Sequence, residues 1–373
     1  MKRLLIKKED LKHNIDIIKD IAKKNISDEN KNPIKIIAVL KANAYGLGLV
    51  QFANFLLDNN INFFAVANLE EALELRKSGF KNDILMLSST SIKEEVTKLI
   101  ENDIIITLGS KEAFEVADKV ACEKDIIIKA HLKIDTGFGR YGFLYNNPSE
   151  IVDVINSSSN IQIQGTFSHF SSSFSSNSQY TDIQFKRFTS CVDYLNDNKI
   201  DTGMLHICNS CAFLQYPKYH MNAVRLGSAF LGRIPIKNIY GLKKIGQFET
   251  QVSEIKYLPK GHNIGYGNRY ETKDKMKIAI IPVGYMDGFN VKTKDISFKF
   301  IESLRYLYND FKRFIKKEKT YVTINGKNYK IVGVTGMYNT QIDITNSNVK
   351  VGDIVKIDIS IRNINPTIER KYE

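Results

Sequence analysis

The sequence contains few cysteines and no long apolar run. Four cysteines occur among 373 residues. Their spacing is too irregular for a disulfide framework, which favours a reducing compartment. No uninterrupted apolar stretch reaches the roughly 18 residues that a membrane-spanning helix requires. The basic N-terminus, MKRLLIKKEDLKHN, has no apolar core of signal-peptide length. We therefore expect a cytoplasmic protein with no membrane span.

The sequence also has little that indicates a metal or nucleic-acid site. Cys208 and Cys211 form a CxxC pair, but without a second pair or a histidine couple nearby we expect no metal or redox site. The net charge of +12 comes largely from lysines that are spread along the whole chain. Such a charge can attract anionic ligands, but no nucleic-acid-binding motif accompanies it. We expect no nucleic-acid partner.

The first two thirds of the chain alternate between short apolar runs and helical periodicity. The apolar runs predict strands at 36–40, 63–67, 84–87, 104–107, 126–134, 161–167, 204–207 and 223–224. Helical periodicity precedes the first strand at 8–24 and recurs between the later strands. About eight strand–helix steps predict an α/β fold, a parallel (β/α)8 TIM-type barrel. An open doubly wound sheet is the alternative, but no GxGxxG motif opens a helix.

The remainder of the chain has a different pattern, with strand-like runs separated by glycine and asparagine turns. We predict a barrel domain over 1–236 and a mostly β C-terminal domain over 237–373. Within the second domain, Phe300, Leu304, Leu307, Phe311 and Phe314 recur at helical spacing, which predicts an inserted amphipathic basic helix near 296–317. We expect its apolar face to pack on the β domain or across a dimer. A membrane surface or a docked partner is the alternative.

Lys41 follows the buried strand 36–40 and precedes Gly46 and Gly48. A lysine is rarely buried without a function, although a side chain that reaches solvent from the strand end is the alternative. Further polar residues follow later strands. Because the carboxyl ends of barrel strands form one mouth, the following residues could share a site: Lys41, Lys133, Arg140, His169, Asn209, Ser210 and Arg225.

Eight stretches of the chain resemble the alanine racemase family, whose members are pyridoxal phosphate (PLP) enzymes of fold type III. They are AVLKANAYGLG (38–48), KIDTGFGRYGF (133–143), GTFSHF (165–170), HICNSCAFL (206–214), VRLGSAFLGR (224–233), IGYGNRY (264–270), IPVGYMDGF (281–289) and INGK (324–327). Their order and spacing over almost the whole chain support the resemblance. It implies a racemase that interconverts L- and D-amino acids, with alanine the first candidate. A racemase of serine or another amino acid, a fold type III decarboxylase and a non-enzymatic PLP-binding protein are the alternatives.

The resemblance also implies roles for individual residues. Lys41 would bind PLP covalently and act as one base, and Tyr266, positioned through His169, would act as the other. Arg225 would face the pyridine nitrogen, and Arg140 would receive the substrate carboxylate. The remaining implied cofactor contacts are Tyr45, His169, Asn209, Ser210, Gly227 and Ser228, of which Tyr45, Ser210, Gly227 and Ser228 would hold the phosphate. The remaining implied substrate contacts are Met337, through its backbone, and Tyr285. His206 matches a further pocket residue.

The residue types suit this chemistry. Racemisation requires a proton to leave one face of Cα and another to arrive on the opposite face, hence two bases. Free tyrosine and lysine have pKa values of about 10 and 10.4, so their surroundings must lower those values. An arginine stays protonated, so the ring nitrogen that faces Arg225 should stay unprotonated. That arrangement weakens the cofactor as an electron sink and disfavours decarboxylation.

The resemblance implies a homodimer, in which Tyr266 and Met337 act in trans. It also relates Lys133 to a lysine that some family members carry as a carbamate orienting Arg140. The chain departs from the family pattern at a few positions. Leu47 stands where histidine is usual, Tyr338 where aspartate is usual, and Pro366 where a tyrosine is expected. The predicted helix replaces a short loop.

Overall fold

The computed structural model describes residues 1–24, 33–291 and 320–373. The described residues form two compact units, Lys7–Ile245 and a second unit that joins Met1–Ile6 to Gly246–Glu373. The predicted inserted helix at 296–317 lies outside the described residues. Among the residues that are described, no helix is both long and apolar enough to cross a membrane.

The chain begins with strand β1 (Lys2–Ile6), which belongs to the second unit. The strands of the first unit follow in chain order: β2 (Lys35–Val39), β3 (Phe63–Val66), β4 (Ile84–Ser89), β5 (Ile105–Leu108), β6 (Ile128–Asp135), β7 (Phe143–Leu144), β8 (Ile161–Phe167), β9 (Met204–His206) and β10 (Ala223–Leu226). Its helices are α1 (Lys8–Lys24), α2 (Lys41–Tyr45), α3 (Leu49–Asp58), α4 (Leu69–Lys77), α5 (Lys93–Glu101), α6 (Lys111–Glu123), α7 (Pro148–Ser157), α8 (Gln179–Asp197) and α9 (Ser210–Gln215).

Eight of these strands close into a barrel. Their order is β2-β3-β4-β5-β6-β8-β9-β10, every neighbouring pair is parallel, and β10 pairs with β2 to complete the ring. The interior is filled by buried side chains from alternate strand positions, such as Ile37, Phe63, Leu85 and Ile105. The predicted TIM-type barrel is confirmed. Continuous apolar runs marked its strands because both faces of a parallel barrel strand are covered.

The second unit is a nine-stranded sheet in the order β12-β13-β16-β15-β14-β17-β11-β1-β18. Its other strands are β11 (Gln247–Gln251), β12 (Glu254–Leu258), β13 (Met276–Ile281), β14 (Tyr321–Ile324), β15 (Lys327–Val332), β16 (Thr340–Asp343), β17 (Ile354–Ile357) and β18 (Glu369–Tyr372). Single 3-10 turns form at Tyr266–Asn268, Tyr285–Asp287 and Ile361–Asn363. All neighbouring pairs are antiparallel except β1 with β18. The predicted mostly β domain is confirmed as a fold class.

The first strand differs from the sequence prediction, which placed residues 1–236 in the barrel domain. Strand β1 instead pairs with β11 and β18. Leu4 and Ile6, at alternate positions, are fully buried. A five-residue strand with two basic residues carries too little alternation to be recognised from sequence, so its membership of the β sheet required the structure.

Candidate functional site

Lys41 opens an unusual turn at the carboxyl end of β2. The four residues that follow it, through Tyr45, all have φ between 52° and 56°, so α2 is a left-handed turn. Left-handed backbone costs L-residues about 1–2 kcal/mol each. Asn43 stabilises the turn through two contacts: its N–H donates to Oε1 of the buried Glu71 at 3.3 Å, and its Oδ1 accepts from the N–H of Leu49 at 2.7 Å. Backbone strain of this kind persists where surrounding contacts enforce it, commonly at functional sites.

Tyr45 lies beside the start of the loop that follows β10. A Cβ built on Gly227 would lie 2.5 Å from the Tyr45 hydroxyl oxygen, so the phenol packs directly on bare backbone. Ser210 Oγ accepts from the N–H groups of Gly227 at 3.1 Å and Ala229 at 3.2 Å. Because both of those bonds use the oxygen as an acceptor, the Ser210 hydroxyl proton remains a donor. Tyr45, Ser210 and Gly227 therefore form one cluster of neutral polar groups, next to the half-buried Ser228.

Asn209 lies directly before Ser210, at the start of α9. Its side chain accepts from the N–H groups of Cys211 and Ala212, both at 3.1 Å, and caps α9. Ser173 donates to the same oxygen at 2.8 Å. These contacts fix the turn that presents Ser210. Direct contact of Asn209 with the cofactor stays a prediction.

Arg225 is buried at the carboxyl end of β10 and donates to five acceptors. Its Nη1 bonds His206 Nδ1 at 2.7 Å and the His206 carbonyl at 2.9 Å. Its Nη2 bonds the carbonyls of Ser168 at 2.6 Å and Ile207 at 3.2 Å, and His169 Nδ1 at 3.2 Å. Burial lowers the pKa of Arg225 to about 10, which leaves it a cation at neutral pH. None of these partners is a carboxylate, so its charge is available to act on a ligand.

The two histidines that contact Arg225 are fixed by aromatic neighbours as well. His206 stacks on Phe167 with ring centroids 4.9 Å apart and planes 8° from parallel, while His169 meets the edge of Phe138 at 5.3 Å. Burial, followed by the charge of Arg225, lowers the pKa of both imidazoles well below the ordinary value. Both rings are therefore neutral at pH 7, and each presents an unprotonated Nδ1 to the guanidinium.

Lys133 is buried on β6 and points into the same end of the barrel. Its Nζ lies 4.6 Å from the ring centroid of Phe167 and 5.8 Å from that of Tyr141. Burial lowers the pKa of Lys133 to about 7, and the charges of Arg225 and Arg140 act in the same direction. A lysine with its pKa lowered in this way loses its proton more readily near neutral pH, and is therefore more nucleophilic, than an exposed lysine.

The loop after β6 positions Arg140. The carboxylate of Asp135 accepts from three successive N–H groups, those of Gly137 and Phe138 at 2.8 Å and Gly139 at 2.9 Å. Arg140 stacks on Phe138, with its guanidinium carbon 4.4 Å from the ring centroid, and is otherwise exposed. The loop thus presents a cation to solvent from a rigid base.

The remaining predicted residues lie in the second unit. Tyr266 is 76% exposed. Tyr285 and Met337 lie in adjacent segments, because the N–H of Tyr285 donates to the Gly336 carbonyl and that of Met286 to the Met337 carbonyl, each at 3.1 Å. All three predicted side chains are substantially exposed within this unit.

The departures from the family pattern are also placed by the structure. Leu47 is fully buried in the barrel unit. Tyr338 is 54% exposed in the second unit, where Lys2 Nζ lies 5.4 Å from its ring centroid. Pro366 is exposed, and its carbonyl accepts from Arg370.

The sequence analysis did not identify Glu71, which holds the Lys41 turn, or His131, which contacts His206. Strand periodicity could have indicated His131, because it lies two residues before Lys133 and therefore faces the same side of β6. Nothing in the sequence connects Glu71 with Asn43, which is 28 residues away.

The chain matches two family models, the alanine racemase N-terminal domain over residues 6–235 and the alanine racemase C-terminal domain over residues 245–369. The chain belongs to the alanine racemase family. Members of this family are PLP-dependent enzymes, and the chain is an isomerase of this family. The family assignment made from the eight sequence stretches is confirmed.

Individual alanine racemases are similar to the chain over most of its length. The alanine racemase of Methanococcus maripaludis is 35% identical over 329 residues, which cover 87% of this chain and 82% of the relative. Alanine racemase 1 of Clostridium acetobutylicum is 36% identical, with coverages of 87% and 79%. Among solved structures, an alanine racemase of Clostridium difficile has a TM-score of 0.86 and 26% identity, and the match covers 100% of this chain and 95% of the other.

Proposed function

We propose that this alanine racemase family member interconverts L- and D-alanine with PLP, and that Lys41 and Tyr266 are its two bases. The observation that carries the proposal is Arg225, a buried cation at the carboxyl end of the strand next to the one that leads to Lys41. Five neutral acceptors orient its guanidinium. A cation held in this way suits an unprotonated pyridine nitrogen, and such a ring favours racemisation over decarboxylation.

The donor groups around Lys41 fit PLP. Tyr45, Ser210 and Gly227 cluster at the ends of neighbouring strands, which is a common place for phosphate in a parallel barrel. Bound PLP would acidify the Cα–H of an amino acid by delocalising the resulting negative charge. In this assignment Lys41 holds the cofactor and moves a proton at one face of Cα, and His169 lies beside Arg225 on the floor of the site.

We propose that the second base is contributed in trans, by Tyr266 of the partner subunit of a homodimer. A catalytic base must be shielded from water, and its own unit leaves Tyr266 exposed. The shielding would therefore come from another subunit, which supports this assignment. Met337 and Tyr285 would enter the site from the same side, since they lie in adjacent segments of the same unit. An active enzyme then requires a dimer, and activity per subunit should fall on dilution.

Arg140 would bind the substrate carboxylate from the rigid loop after β6. The lowered pKa of Lys133 supports conversion of its amine to a carbamate by carbon dioxide, which would place a negative charge near Arg140. One observation favours a second candidate, a racemase of another small amino acid. Tyr338 is bulkier than the aspartate usual in the family and is exposed next to Met337.

We also propose a cytoplasmic location, which the four free cysteines support.

The test begins with the purified protein and both alanine enantiomers. The wild type should show the absorbance band of lysine-bound PLP and form each enantiomer from the other. Lys41→Ala should lose both properties, whereas Lys129→Ala, an exposed lysine of β6, should keep them. Full racemase activity in Lys41→Ala would refute the assignment.

The two-base assignment requires an isotope experiment in heavy water. In Tyr266→Phe, the proton at Cα of one enantiomer should still exchange with solvent through Lys41, without inversion, while racemisation falls. Equal loss of exchange for both enantiomers would show that Tyr266 is not one of two separate bases.

A panel of other L-amino acids, assayed under the same conditions, tests whether Tyr338 shifts the substrate preference.

A further inference from the structure

A row of three buried polar side chains runs down the inside of the barrel from Arg225. Nη1 of Arg225 donates to His206 Nδ1 at 2.7 Å, and His206 Nε2 lies 2.9 Å from His131 Nδ1. The exposed fractions are 3%, 0% and 1% for Arg225, His206 and His131 respectively. The row therefore links the cation assigned to the cofactor ring with a histidine deeper in the barrel.

The protons of this row can be placed by elimination. A guanidinium only donates, so His206 Nδ1 must be unprotonated. Because His206 is neutral, its single ring proton is on Nε2, and that nitrogen donates to His131. His131 Nδ1 is then the acceptor, which places the proton of a neutral His131 on Nε2. Each hydrogen bond in the row thus fixes the direction of the next one.

His131 has a site built around it. A Cβ on Gly165 would lie 2.7 Å from His131 Cε1, so the imidazole occupies space that only glycine leaves open. An irregularity in the β6–β8 pairing between Ala130 and His131 brings Gly165 opposite the ring. His131 also lines a cavity of about 330 Å³ at the amino-terminal end of the barrel. The polar side chains that share this cavity are Lys35, Asp83, Gln162, Gln164 and Asp201.

We propose that His131 is a positioning residue for the cofactor ring. By accepting from His206, it selects the tautomer in which His206 accepts from Arg225, and so it fixes the guanidinium against the ring nitrogen. If His131 Nδ1 did not accept from His206, the ring proton of His206 could be on Nδ1 instead of Nε2. Two donors, that N–H and an N–H of Arg225, would then face each other. The polar cavity gives the remaining Nε2–H of His131 access to water. This inference rests on the proposed role of Arg225.

The tautomers can be measured on the full chain without added cofactor. The chain contains six histidines, so selective ¹⁵N labelling gives a tractable NMR spectrum, which single His→Asn variants assign. Both His131 and His206 should be neutral and protonated on Nε2 from about pH 6 to 8. Burial, the largest influence, lowers the pKa of His131 to about 3. A proton on Nδ1 of His206, or a charged His131, would overturn the proposal.

Two substitutions separate positioning from packing. His131→Leu removes the acceptor but fills the space, whereas His131→Asn can place an amide oxygen near the position of Nδ1. In the holoenzyme we expect His131→Leu to lower kcat roughly tenfold, with little change in KM and a shifted cofactor absorbance band. His131→Asn should retain activity to within roughly threefold. His220→Leu, a buried histidine outside the row that bonds the Phe213 carbonyl, should alter stability and leave the cofactor spectrum unchanged.

The outcomes distinguish this inference from the proposed function. If the wild type neither binds PLP nor racemises alanine, the proposed function fails, while the NMR tautomers still report whether the row exists. If the wild type is active but His131→Leu matches it in kcat and in the cofactor spectrum, the positioning role is wrong. Equal losses in His131→Leu and His131→Asn would indicate packing alone and would also overturn it.

Discussion

The contact between Tyr45 and Gly227 gives the sharpest prediction for cofactor binding. In Gly227→Ala the new methyl group would lie 2.4 Å from Tyr45 Cε2 and 2.5 Å from its hydroxyl oxygen. Ordinary van der Waals contact begins at about 3.4 Å, so the phenol must retreat by about 1.0 Å (3.4 − 2.4) to relieve the closer contact. The clashing atoms are the far end of a side chain, so the protein should fold. The hydroxyl would leave its place against the backbone of Gly227.

The expected loss follows from one displaced hydrogen bond to an anionic phosphate. Such a bond contributes about 1.5–3 kcal/mol, which corresponds to a roughly 10- to 150-fold rise in the Kd of PLP. The measurement is a titration of the cofactor-free protein with PLP, followed by the lysine-bound absorbance band. The thermal midpoint of the cofactor-free variant should change less than the Kd of PLP, because only one partly buried side chain at the edge of the barrel core has to shift.

A double-mutant cycle tests the reasoning itself. In a Tyr45→Ala background the space is free, so adding Gly227→Ala should change the Kd of PLP by no more than about twofold. The single substitutions would then be strongly non-additive. Additive effects would show that Gly227→Ala acts on the backbone directly and that Tyr45 does not transmit it.

The remaining predictions concern stability. Lys133 has its pKa lowered by burial from 10.5 to about 7, so between those values the unfolded chain binds more protons. The free energy of unfolding should therefore rise with pH across that window, by up to about 1.4 kcal/mol per pH unit. Denaturant titrations in carbon-dioxide-free buffer should show a smaller rise for Lys133→Met than for the wild type. Ala42→Gly should stabilise the left-handed turn by about 1 kcal/mol, whereas Ala53→Gly, inside the right-handed α3, should destabilise the protein. Gly142→Ala would bring a Cβ within 2.6 Å of the Asp135 backbone nitrogen at φ 120°. It should prevent folding, as judged by soluble yield. Gly139→Ala, where a Cβ meets open space, should lower the free energy of unfolding by only about 1 kcal/mol.

The barrel could be predicted from sequence because each of its strands is a short apolar run covered on both faces. The position of Arg225 could be predicted for the same reason, since it ends such a run. The left-handed turn after Lys41 could not. Alanine and tyrosine do not favour positive φ, and one of the contacts that stabilise the turn comes from Glu71, on a helix 28 residues away, which accepts from the N–H of Asn43. Contacts between residues far apart in sequence are set by packing, which periodicity does not report.

The same limit applies to electrostatics, because the structure brings basic side chains from distant parts of the sequence to one end of the barrel. The pKa of Lys133 is lowered, after burial, by Arg225, Arg140 and Lys41, and Asp135 alone opposes them. That carboxylate is already bonded to three backbone N–H groups of its own loop. The barrel mouth thus gathers positive charge, and the repulsion among these groups works against the stability of the cofactor-free protein. An anionic cofactor and a substrate carboxylate would relieve it, so the same arrangement that weakens the empty protein favours binding of both ligands.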